Sequence, residues 1–114
     1  MTGLIVFAHG SRVESANQSV RKLTHQVRQM NEYLVSCAFL ELGQPDLSQA
    51  VRELAQHGVT RIIVVPYFLT LGIHLRRDLP QMVDELRTAH PAIDFEVTEP
   101  LDGHPGLLTA VLDR

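Results

Sequence analysis

Two histidines stand where an apolar run gives way to small and polar residues. Gly3-Leu4-Ile5-Val6-Phe7-Ala8 leads into His9-Gly10-Ser11-Arg12, and Arg61-Ile62-Ile63-Val64-Val65-Pro66 leads through Tyr67-Phe68-Leu69-Thr70-Leu71-Gly72-Ile73 to His74. Imidazole is the commonest protein ligand for transition metals and the natural acid or base near neutral pH, so two of them in one cleft point to metal handling or proton transfer. A third apolar run, Tyr33 to Leu40, delivers Glu41 before Gly43 and Pro45. His9, His74 and Glu41 together approach a His/His/Glu set that binds a divalent metal with coordination positions left open. Chemistry of this kind weakens as pH falls through about 6.5, the ordinary imidazole value, because a protonated ring neither ligates nor accepts a proton.

These residues need a scaffold that brings strand ends together. Runs rich in β-branched residues and ended by Gly or Pro read as buried parallel strands, whose carboxyl ends open onto the functional crevice of an α/β sheet. Between them lie helical stripes. Ala16, Val20, Leu23, Val27 and Met30 recur at spacings of four and three, as do Leu47, Ala50, Val51 and Leu54, with Asp46 or Ser48 as N-cap and Gly58 at the left-handed C-terminal position. Leu79, Met82, Val83, Leu86 and Ala89 form a third face, with Asp78 and Pro80 at helix-start positions and Pro91 beyond its end. Ala92 to Thr98 alternates as a strand with one exposed face, and Leu107, Leu108, Val111 and Leu112 suit a short closing helix. The order β-α-β-α-β-α-β-α predicts one three-layer α/β/α domain over residues 1–114, with a four-stranded, mostly parallel sheet, right-handed crossovers and helices on both faces.

Composition narrows the function. The chain has 114 residues, of which 45% are hydrophobic and 20% charged, which suits a single globular domain but is small for an enzyme that must enclose a large substrate, so a partner subunit is expected. A formal net charge of −3 argues against nucleic acid as partner, while Arg12, Arg76 and Arg77 beside the two histidines allow an anionic ligand at the cleft. No apolar run approaches the length that spans a bilayer and the first strand begins without a basic leader, so the expected location is the cytoplasm. Cys37, the single cysteine, lies in an apolar stretch and reads as a small buried hydrophobe. Ser11 lacks the Gly-x-Ser-x-Gly elbow of hydrolases, and no phosphate-cradling glycine loop is present, so neither a serine hydrolase nor a nucleotide-driven mechanism is supported. His25, His57 and His90 fall on helices or at their ends, and His104 falls in a loop.

His9-Gly10-Ser11-Arg12 with Asn17, Ala38-Phe39-Leu40-Glu41 with Pro45, and Val65-Pro66-Tyr67-Phe68-Leu69-Thr70 with Gly72, His74, Asp78 and Pro80 occur in an order that resembles the small CbiX-type sirohydrochlorin chelatases. The likeness covers nearly the whole chain, including Pro100-Leu101 and His104-Pro105, although Val13-Glu14-Ser15-Ala16 replaces the Asp-Pro turn of many relatives. The resemblance implies a chelatase-like half that inserts a divalent metal, usually cobalt and in relatives iron or nickel, into sirohydrochlorin on routes to cobalamin or sirohaem. It implies no cofactor beyond that metal and no nucleotide, and a short form that pairs as a homodimer. Under it His9 and His74 match the metal-site histidines and Glu41 the acidic residue some relatives add. Ser11, Arg12, Thr70, Gly72 and Arg76 become candidates for gripping the substrate's carboxylates, and Phe68, Leu69, Leu71 and Ile73 for its flat face, with Phe68 expected in the core. The alternative is a non-catalytic metal-binding or metallochaperone module on the same fold.

Overall fold

A computed structural model describes residues 1–114. Its elements follow the expected alternation: β1 (Thr2–Ala8), α1 (Glu14–Gln29), β2 (Leu34–Phe39), α2 (Leu47–Gln56), β3 (Arg61–Pro66), α3 (Ile73–Ala89), β4 (Asp94–Val97) and α4 (Pro105–Asp113). The four strands form one sheet in the order β2-β1-β3-β4, and every pairing is parallel. Because β1 connects through α1 to β2 on one side and its other neighbour, β3, connects through α3 to β4 on the other, the connections leaving the carboxyl ends of β1 and β3 run in opposite directions. Between those ends lies a topological switch point, where the loops part and a crevice opens. His9 is the first residue past β1.

Alternation along β1 sends Ile5 and Phe7 to one face and Val6 and Ala8 to the other. The first face meets Ala50, Val51 and Leu54 of α2 and Leu79, Val83 and Leu86 of α3 in a core of 15 buried residues; the second meets α1 in a core of only 6. The difference arises because a single helix, α1, covers the second side, and Ile63 and Val65 of β3, which point there, stay half-buried. α2 begins as expected: Asp46 accepts from the Gln49 N–H at 2.9 Å while the Gln49 side chain accepts from the Asp46 N–H at 3.0 Å, and Gly58 follows at φ +80°.

The structure corrects three expectations. In α1 the buried line is Asn17, Val20 and Thr24, whereas Ala16 and Met30 are exposed. The helix is turned because the Asn17 amide finds backbone partners inward and the Thr24 hydroxyl donates to the Val20 carbonyl at 2.8 Å, so two polar side chains satisfy themselves under cover. α3 starts at Ile73, with Gly72 as N-cap, and Asp78 and Pro80 lie inside it. Pro80 is exposed, so the Arg76 carbonyl that lacks its usual N–H partner has access to water, and the local resemblance of Asp-Leu-Pro to a helix start is overridden. β4 is shorter than the Ala92–Thr98 run, as an edge strand with a single partner. α4 forms where expected but buries none of its residues, and His104 is its N-cap, accepting from the Gly106 N–H at 2.8 Å.

Phe7 is fully buried and meets Phe68 edge-on at 6.1 Å between ring centroids. Phe7→Ala is expected to cost about 3–5 kcal/mol in urea unfolding, the range for emptying a well-packed aromatic site. Burial pushes the Cys37 thiol up from its ordinary value. Less thiolate is then present at pH 7–8 than for an exposed cysteine, so a disulfide reagent should modify native Cys37 slowly and the urea-unfolded chain at once.

Candidate functional site

The β1–β2 ladder does not stop at the strand ends. Ala8 pairs with Phe39, the Leu40 N–H donates to the Ala8 carbonyl at 2.8 Å, and the Glu41 N–H donates to the His9 carbonyl at 3.1 Å. The first of these bonds closes the last rung of the parallel ladder, and the second, one bond beyond it, carries Glu41 alongside His9, so that the carboxylate Oε1 stands 3.7 Å from His9 Nε2. Gly10 makes the approach possible. Its φ is +92°, and a Cβ there would lie 1.7 Å from the Glu41 carbonyl oxygen, so no other residue fits.

His9 Nδ1 lies 3.2 Å from the Gly10 carbonyl oxygen. A carbonyl only accepts, so Nδ1 carries the hydrogen in the neutral ring and the lone pair resides on Nε2, facing Glu41. A neutral nitrogen donor and an anionic oxygen donor thus stand side by side, both more than half exposed.

His74 lies in the first turn of α3 and shares with His9 a cleft of about 430 Å³, whose lining includes Phe68, Thr70, Gly72 and Asp78. The Phe68 ring is half-buried, meeting the His9 ring edge-on at 6.4 Å; it belongs to the wall of the cleft as well as to the packing behind it. Arg77 Nη2 reaches to 3.5 Å from His74 Nδ1 and its Nε donates to Asp78 at 3.2 Å. His74 and Asp78 are four residues apart on one helix and so share a face. That relation was open to sequence reasoning only if α3 began at Gly72 rather than Asp78.

The convergence is partial. His9 and Glu41 form a close pair and His74 faces the same cleft, but no three His, Cys, Asp or Glu side chains stand close enough to hold one ion between them. Of the other candidates, Thr70 and Gly72 line the cleft, as does Ile73. Arg76 and Leu71 line a neighbouring hollow of about 320 Å³ with Arg87 and Val97, and Leu69 is exposed. Arg12 is exposed outside both. Ser11 is already engaged: its N–H donates to Asn17 Oδ1 at 2.9 Å and its hydroxyl oxygen accepts from the Val13 N–H at 3.0 Å. Asn17, buried behind this turn, was visible to sequence reasoning only as part of a resemblance. Beside it, hydrogen bonds from Arg21 and from Asn17 itself hold the Glu14 carboxyl below the usual range.

Known proteins share this sequence pattern and fold. The CbiX family model matches residues 3–114. A sirohydrochlorin cobaltochelatase from Methanopyrus kandleri is 32% identical, the alignment covering 100% of this chain and 94% of the relative. A chloroplastic sirohydrochlorin ferrochelatase from Arabidopsis thaliana is 31% identical, over 98% of this chain and 50% of the relative. Among solved structures, a CbiX protein from Marinobacter aquaeolei VT8 superposes with a TM-score of 0.87 at 32% identity, covering 99% of this chain and 92% of that one. The sirohydrochlorin chelatase SirB from Bacillus subtilis subspecies spizizenii, in complex with cobalt, shares the fold with a TM-score of 0.90 at 24% identity; this chain spans 48% of it. A four-stranded parallel unit with its histidine at the switch point, matched from end to end by such relatives, belongs to the CbiX family.

Proposed function

We propose that this chain inserts a divalent metal, cobalt first among Co2+, Fe2+ and Ni2+, into sirohydrochlorin, in the cytoplasm and without ATP, on a route to cobalamin or sirohaem. The observation that carries the reading is the His9–Glu41 pair at 3.7 Å, whose histidine lines an apolar-walled cleft together with His74. Names of the relatives supply the substrate: both the Methanopyrus and the Arabidopsis proteins are chelatases of sirohydrochlorin.

In this reading the metal is a substrate, delivered to His9 Nε2 and Glu41 and reached by His74 across the cleft. Exchange of a divalent ion for the inner N–H protons of the macrocycle requires bases at the face where the ion enters. The Nε2 lone pair and the Glu41 carboxylate meet that need, and both are open to water that carries protons away. An incomplete ligand set suits a cargo ion, since a closed cage would retain it. Phe68 and Ile73 offer apolar surface to the ring, and Thr70 and the Gly72 backbone lie at its edge. Arg12 and Arg76, both without a side-chain partner in the chain, are assigned to the substrate's carboxylates. Ser11 contributes its hydroxyl hydrogen alone, because its N–H is committed to Asn17.

The cleft is shallow for a tetrapyrrole, and α4 exposes Leu108, Val111 and Leu112 at 65%, 72% and 76%. We assign both features to a homodimer in which a second copy covers α4. Sedimentation should give a dimer at micromolar concentration, and Leu112→Glu should give a monomer; a monomeric wild type removes this part of the reading.

Anaerobic incubation with sirohydrochlorin and each metal in turn, with mass measurement of the product, tests the activity. His9→Ala and His74→Ala are each expected to lower the rate at least about 100-fold, equivalent to about 2.7 kcal/mol of barrier, with far-UV dichroism unchanged. Turnover retained in either variant removes its assigned role. Metal binding without turnover by the wild type would point to a carrier of metal instead.

A further inference from the structure

The spacing of His9 and Glu41 has a cause outside the cleft. Asn17, in the first turns of α1, is 1% exposed and binds both turns that carry the pair. Its Oδ1 accepts from the Ser11 N–H at 2.9 Å; its Nδ2 donates to the Ser11 carbonyl at 2.9 Å and to the Leu42 carbonyl at 2.9 Å, with Glu14 Oε2 farther off at 3.4 Å. The amide can face only one way, since the reverse would set its oxygen against two carbonyls. Ser11 is two residues beyond His9, and Leu42 is the residue after Glu41, held at φ +56°, a strained value for a leucine. One side chain therefore ties the β1–α1 turn to the β2–α2 turn on either side of the catalytic pair. Around it the joint is tight. Gly43 leaves no room for a Cβ, which would lie 2.8 Å from the Phe39 ring and 3.2 Å from Asn17 Nδ2, and Arg21 joins Glu14 at 2.6 Å to the Gln44 carbonyl at 3.1 Å.

We infer that Asn17 is a positioning residue that sets the His9–Glu41 separation, and with it the affinity for the incoming metal, by clamping the two turns together. The inference rests on the proposed metal site, but its test needs no tetrapyrrole.

Cobalt(II) alone is titrated into the full chain and followed by its visible absorption, for the wild type, Glu41→Gln, His9→Ala, Asn17→Ala, Asn17→Asp, and Asn17→Ala combined with Glu41→Gln. Loss of the clamp is expected to weaken Co2+ binding about 10- to 100-fold, the usual range for residues that orient ligands from behind. In the Asn17→Ala background Glu41→Gln should then add little, because the carboxylate has already left its place; such non-additivity marks two residues acting as one unit. Asn17→Asp keeps the acceptor for the Ser11 N–H but loses the donations to the Ser11 and Leu42 carbonyls and sets an anionic oxygen against both, so it should weaken Co2+ binding at least as much as Asn17→Ala. Amide exchange at Glu41, whose N–H bonds the His9 carbonyl, should accelerate in both variants while Leu40 keeps its protection. Where Asn17→Ala is too unstable to titrate, Asn17→Asp and Asn17→Ser decide by the same readings. Co2+ affinity close to that of the wild type in the folded variants, or an undiminished Glu41→Gln effect beside Asn17→Ala, overturns the clamp. Wild-type Co2+ binding that ignores His9→Ala overturns the metal site itself, so the two failures are told apart.

Discussion

The backbone bonding between the ends of β1 and β2 is the interaction on which the rest of this structure depends. The bond from Leu40 to Ala8 closes the last rung of the parallel ladder, and one further bond from Glu41 to His9 holds together residues that would otherwise diverge. Parallel pairing is directional, and each added bond fixes which residue of one chain segment meets which of the other. Here it leaves an imidazole next to a carboxylate instead of one position out of step. The glycine at position 10 is the steric condition for that bond pattern, and the amide of Asn17 braces it from beneath the sheet.

The site is built from elements of unequal rigidity. His9 and Glu41 stand at the ends of strands buried in two cores, while His74 stands on the exposed opening turn of α3. A reaction that must take an ion from water and release it into a macrocycle has use for such a division. On the proposed reading the paired donors would give a defined point of arrival, and the third donor would approach from another element without closing a cage. Arg77, between His74 and Asp78, places a positive charge at the same helix end.

The strand ends were legible because β-branched runs closed by Gly or Pro have few other uses, and because three of them each deliver a polar residue with chemistry. The placement of His9 and Glu41 at strand ends follows from that pattern, whereas the switch point follows from the strand order, which the pattern does not convey. The start of α3 was not legible: Asp78-Leu79-Pro80 carries a local start signal, and only the tertiary placement of Leu79, Val83 and Leu86 reveals that the helix already runs through it. Asn17 was hidden for a related reason. An asparagine on a helix ordinarily faces water, and its inward turn depends on two carbonyls supplied by loops 6 and 25 residues away in sequence. The separation of Arg76 from the histidine cleft likewise depends on the helix phase, which adjacency to His74 does not convey.

Pro80 gives α3 a mechanical property. By withholding an N–H from the Arg76 carbonyl, it ties the turns holding His74 to the body of the helix with one backbone bond fewer than their neighbours have. Those turns bury little apolar surface, so their unwinding requires far less free energy than opening the sheet beneath His9. The two walls of the cleft therefore differ in how readily they open, the one that bears His74 rising from the end of a helix and the one that bears His9 from the middle of a sheet.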